Sequence, residues 1–98
     1  MRVRLHPAVH LDIFEIMDHY EVTSGTVLAV EFYDEFLRCA KEIALRPRSF
    51  ALGDSDLRRF NLHKFPHHIL FDIEDEKRIT ILVVKHDHRD PQFGIDRR

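Results

Sequence analysis

Ninety-eight residues, 44% of them hydrophobic and only three of them glycine, are enough for one domain with a real core (1–98). A net charge of −2 excludes a chain held on nucleic acid mainly by bulk positive charge. Cys39 is the only cysteine, which excludes an intrachain disulfide, and no run approaches the roughly 18 apolar residues of a membrane span.

Arg2–His6 alternates weakly and suits a short first strand. Pro7 then fits the first turn of a helix. Val9, Ile13, Ile16, Met17 and Tyr20 form an apolar stripe that predicts a helix over Ala8–Glu21. Asp12, Glu15, Asp18 and His19 are expected off that stripe, in solvent.

Thr23 or Ser24 is expected to cap a second helix. Its apolar face runs from Leu28 through Phe32, Tyr33 and Phe36 to Ala44, and Pro47 ends it near Leu45. Such a helix is about 22 residues and about 33 Å long. The link Val22–Gly25 is so short that the two helices should pack as an antiparallel hairpin. Tyr33 and Phe36 are expected in the core, as is Cys39, read as a buried structural thiol.

Pro47–Asp56 reads as a loop, after which the period changes from 3.6 to 2. Leu57–His63 is a basic strand, and Phe65-Pro66 separates it from His67–Ile73. The acidic turn Glu74–Lys77 leads into Arg78–His86. In that last strand Ile79, Ile81 and Val83 alternate with Thr80, Leu82 and Val84. Both faces are apolar, as in a central strand. The expected fold is therefore α+β, in the order β-α-α-β-β-β, with a helical hairpin packed on one face of a mostly antiparallel curved sheet. The opposite face is expected to be free for Arg, Lys and His side chains.

Charge supports that division. Residues 1–56 carry 6 basic and 10 acidic side chains, and residues 57–98 carry 9 basic and 7 acidic. The candidate contact set is Arg58, Arg59, Lys64, His68, Lys85, His86, Arg89 and Arg97. Arginine grips phosphate with a planar fork, and histidine moves protons near neutral pH, so together they could bind RNA and assist its cleavage by the neighbouring 2′-hydroxyl. Strand arginines also serve simply to solubilise a sheet. The run His86-Asp87-His88 with Asp90 has the look of a metal site, but His67 and His68 should point to opposite sides of a strand, so surface histidines and no metal are expected. No glycine-rich phosphate loop and no nucleophile elbow are present, and no cofactor is expected.

The segments Leu57-Arg58-Arg59-Phe60, Phe65-Pro66-His67-His68-Ile69-Leu70-Phe71 and Ile79–Pro91, the last ending Val84-Lys85-His86-x-x-Arg89-Asp90-Pro91, together resemble the RelE/ParE family of bacterial toxins. Phe93 and Arg97 stand where that family places an aromatic residue and a final arginine. The resemblance implies the toxin of a type II toxin–antitoxin system, of the kind that stabilises plasmids. It implies a protein that arrests growth and is neutralised by a small cognate antitoxin, and the single cysteine with no membrane span or signal-like N-terminus leads to the expectation of a cytoplasmic one. Its target would be DNA gyrase in ParE-like members, or messenger RNA on the ribosome in RelE-like members. In the RelE-like case Arg59, His86 and Arg89 would be catalytic. Arg58, Lys64, His68, Lys85 and Arg97 would bind the target or RNA. Three departures move the balance toward gyrase: His67 replaces a tyrosine, Phe93-Gly94 replaces a tryptophan, and no tyrosine follows Tyr33. A relative that binds an antitoxin without toxicity is the further alternative.

Overall fold

The computed structural model describes residues 1–53 and 55–98; Asp54, part of the expected loop, lies outside the described residues. The chain runs through β1 (Arg2–Leu5), α1 (Pro7–Ser24), α2 (Thr26–Leu45), a 3-10 turn at Pro47–Ser49, β2 (Arg58–Asn61), β3 (His67–Ile73), β4 (Arg78–His86) and a last 3-10 turn at Ile95–Arg97. The expected order of elements holds, with β2 shorter than Leu57–His63 and α1 longer than Ala8–Glu21 by one residue at its start and three at its end.

The junction of the helices differs from expectation. Thr23 and Ser24 end α1 instead of capping α2, and the Thr23 hydroxyl donates to the His19 carbonyl at 2.8 Å. Gly25 alone separates the helices, at φ 97°, a value that a residue with a Cβ rarely adopts. So tight a link folds α2 back against α1.

The sheet is open and mixed, in the order β1-β4-β3-β2. β1 runs parallel to β4, whereas β3 is antiparallel to both β4 and β2. β4 is thus central, as its two apolar faces imply. On the helix side Phe60, Ile69, Phe71, Ile79, Ile81 and Val84 pack against Val9, Ile13, Phe32, Phe36, Cys39 and Ile43. Phe32, Phe36 and Phe71 are fully buried, and each such side chain stabilises the fold by about 1.5–3 kcal/mol through lost apolar exposure. Cys39 is buried among them, and burial, aided by Glu35 and Glu42, pushes its thiol up to about 12.

Glu35 is also buried, yet it stays ionised. Burial opposes its charge, but hydrogen bonds from the Lys64 and His63 amides at 2.9 and 2.8 Å and from Arg38 at 3.1 Å outweigh that cost. The carboxylate ties α2 to the turn before β3.

The far face of the sheet is not left bare. Leu57, Leu70, Leu82 and Val83 form a second apolar cluster there, roofed by Phe93 and Ile95 of the C-terminal segment. The reason lies in β4. The β3–β4 register slips between Leu70 and Phe71, so that Leu70 faces Val83 while Phe71 faces Ile81. Leu82 is the extra residue of a β-bulge, and a one-residue slip exchanges the two faces for everything beyond it. Val84, not Val83, therefore joins Ile79 and Ile81 under the helices, and Val83 turns outward.

Gly94 lets the roof close. It is buried at φ 78°, and a Cβ added there would run into the Val83 side chain. Gly94→Ala is expected to lower stability by about 2 kcal/mol, from backbone strain and overpacking together. Urea unfolding followed by circular dichroism checks it; an unchanged midpoint would mean that the segment 93–97 is not packed as described.

Candidate functional site

The bulge sorts the candidate residues. Beyond it Lys85 points to the outer face with His68, and His86 points to the helix side with His67. The imidazoles of His67 and His86 lie 5.1 Å apart, and those of His86 and His88 lie 5.3 Å apart. On the outer face, β2 contributes Arg59 and Asn61, paired in register with Leu70 and His68.

Asp87, just past β4, joins this outer group. Its Oδ1 is 2.8 Å from His68 Nδ1 and accepts from the Arg59 guanidinium at 3.4 Å, while Arg59 Nε donates to Asn61 at 2.8 Å. His68 is buried, and burial moves its pKa down while the Asp87 hydrogen bond pulls it back up. Lys85 is buried too. Its ammonium donates to the carbonyls of Asp90, Pro91 and Phe93 at 3.3, 3.1 and 3.0 Å. Burial lowers its pKa, Asp90 opposes that shift, and Arg59, Arg89 and Arg97 add to it. Arg59, His68, Lys85, Asp87 and Arg89 thus line one outer cleft of about 230 Å³.

Arg97 is held from below. It makes a two-pronged pair with Asp12 of α1 at 2.6 and 3.0 Å and also donates to the Leu82 carbonyl at 3.0 Å. Asp12 accepts the Val84 amide as well, at 3.1 Å. β1 pairs with β4 only as far as Ile81. Past that point Leu82 C=O and Val84 N–H, on the edge of β4 away from β3, face no strand, and the Asp12–Arg97 pair satisfies them. Asp12 is therefore buried, contrary to the solvated position expected from its charge.

The candidate set is only partly assembled. Arg59, His68, Lys85 and Arg89 converge. Arg58 lies on the helix side at the edge strand, where it donates to the carbonyl of Phe50 at 2.7 Å. Lys64 sits in the exposed turn before β3, its amide bound to Glu35. His86 lies across the sheet from Arg59. Lys85 and Arg97 have their charged groups engaged by the fold itself. Among the described residues no group of three His, Cys, Asp or Glu side chains is placed to hold a metal. Among the described residues no helix is long and apolar enough to cross a membrane.

The family described as the ParE toxin of the type II toxin–antitoxin system parDE matches residues 3–91. The chain belongs to that family. The same fold is seen in a chain of the chromosomal ParDE toxin–antitoxin system from P. aeruginosa, which superposes with a TM-score of 0.76 at 22% identity, over 88% of this chain and 95% of that one. A comparison with curated proteins gives no match. The ParE match stops at Pro91, so the segment that roofs the outer face, Phe93–Arg97, lies beyond it.

Proposed function

We propose that the chain arrests growth by acting on DNA gyrase and is neutralised by a small cognate antitoxin. Membership of the ParE family carries this reading. The placement of His86 supports it, because the set expected for RNA cleavage, Arg59, His86 and Arg89, does not share a face of the sheet. The helices supply a surface for the antitoxin. Leu11 and Phe14 of α1 are 58% and 65% exposed, and Val27, Val30, Tyr33 and Leu37 of α2 are 40–73% exposed along one stripe. An amphipathic partner helix would cover such a surface.

A ribosome-dependent nuclease is the second reading, favoured by the convergence of Arg59, His68 and Arg89 in the outer cleft. There His68, oriented by Asp87, would supply the acid or base in place of His86.

Induction from a tightly repressed promoter separates the readings. Gyrase action predicts arrested growth, relaxed plasmid DNA and intact transcripts, with growth restored by co-expression of a cognate antitoxin. Cut transcripts by primer extension, abolished by Arg59→Ala, would replace gyrase with the nuclease. Normal growth with soluble protein present would overturn both.

A further inference from the structure

Arg89 is held in place without a charge partner. Its guanidinium lies 3.9 Å from the centre of the Phe93 ring, and the guanidinium of Arg97, locked by Asp12, lies 5.0 Å from that same ring. The perch is therefore anchored in the core although Arg89 itself is exposed. Stacking uses the flat face of the guanidinium and leaves the N–H donors on its edge open. Arg59, Arg97 and Arg98 are paired with Asp87, Asp12 and Asp72; among the described residues the Arg89 side chain has no such pair and no hydrogen bond. An aromatic perch spares most of the entropy that a long side chain loses when it binds.

Arg89 also stands where two clefts meet, the outer one and a second of about 200 Å³ between α1 and β4. The second has mostly apolar walls, Ile16, Val84, Phe93 and the His67 ring, with Glu15 on its α1 rim.

We propose that Arg89 anchors an acidic side chain of a protein partner, presented by a short segment whose neighbouring apolar residue enters the α1–β4 cleft. Charge complementarity selects this occupant. A carboxylate needs only the guanidinium edge, which it meets with two parallel hydrogen bonds. A nucleic acid strand would bring successive phosphates against Asp87, Asp90 and Glu15, all close to the same arginine. Glu15 also sets direction, with the acidic end of the segment on β4 and a neutral or basic end on α1. This rests on the toxin reading only in naming the chemistry of a partner contact.

The test is an NMR titration of the ¹⁵N-labelled full chain with the peptide N-acetyl-Glu-Leu-Leu-Lys-amide. Saturable shifts are expected at the Arg89 side-chain N–H and at the Ile16 and Val84 amides. Exchanging Glu for Gln in the peptide, or Arg89→Gln in the protein, should weaken binding about fivefold, at the upper end for a charge pair at a surface. The spectrum itself reports that the variant is folded. Absence of saturable shifts, equal binding of the Gln peptide, or tighter binding of inorganic phosphate or a short single-stranded RNA would overturn the proposal. Growth arrest is read independently, so failure of one test is distinguishable from failure of the other.

Discussion

Asp12→Ala is expected to destabilise the protein by about 3–5 kcal/mol, the cost of stripping a buried charge of its partner. Asp12 and Arg97 side chains are only 4% and 14% exposed. The substitution leaves the Arg97 guanidinium facing Leu82 and Phe93 without an anion and leaves the Val84 amide without an acceptor. The damage should extend beyond the pair. Arg97 supports Phe93, Phe93 roofs Leu82 and Val83, and Arg89 rests on the same ring. Urea unfolding gives the magnitude, and limited proteolysis should show earlier cleavage within 88–98. The double variant Asp12→Leu with Arg97→Met removes both charges and should recover a large part of the loss, since an apolar pair of similar size needs no compensation. If Asp12→Ala costs less than about 1 kcal/mol, the size of an exposed pair, the Asp12–Arg97 link is not a buried pair in solution.

What the sequence made legible was what depends on period and punctuation. The 3.6 period of α1 and α2, the switch to period 2 after the loop, Pro47 and Pro66 as stops, and the doubly apolar β4 all read through to the structure, although Tyr33, expected in the core with Phe36, lies on the exposed side of α2. The features that decide the site are hidden because they depend on partners distant in sequence or on a run that carries no polar marker. Its charge alone places Asp12 in solvent, although its position, three residues after Val9 and four before Ile16, puts it on the buried stripe. The helical phase was the signal, and Arg97, 85 residues away, explains why a carboxylate tolerates it. The bulge at Leu82 was invisible because Ile79–Val84 is apolar throughout, so no polar residue marks where alternation slips. That slip decides which of Lys85 and His86 joins Arg59, and hence the composition of the candidate site. The roof of Phe93 and Ile95 was missed for a related reason, since a short tail with no periodicity gives no hint that it folds back over the sheet.

Stability is expected to fall by about 3 kcal/mol as pH drops from 6.5 to 4, with His67 as the main cause. Its imidazole is 3% exposed, wedged among Tyr20, Phe32 and Phe65, and its Nδ1 has no hydrogen-bond partner among the described residues. Burial first, and then the neighbouring His86, hold its pKa down to about 4, against 6.5 in an exposed chain. The sign follows directly. The unfolded state takes up a proton near pH 6.5 and the folded state does not until about pH 4, so each step down through that window favours unfolding. Well above pH 6.5 neither state is protonated at His67, and its contribution is level. His68, also lowered by burial, adds to the same trend, while its bond to Asp87 limits how much. The check is a series of urea titrations between pH 7.5 and 4.5 on the parent and on His67→Phe. The phenylalanine fits the aromatic surroundings, removes the orphan nitrogen and carries no proton, so the variant should match or exceed the parent at pH 7.5 and lose most of the acid slope. An undiminished slope in His67→Phe would assign the acid sensitivity to another group. A variant that unfolds at pH 7.5 would show instead that Nδ1 makes a bond in solution that the buried, apolar surroundings do not suggest.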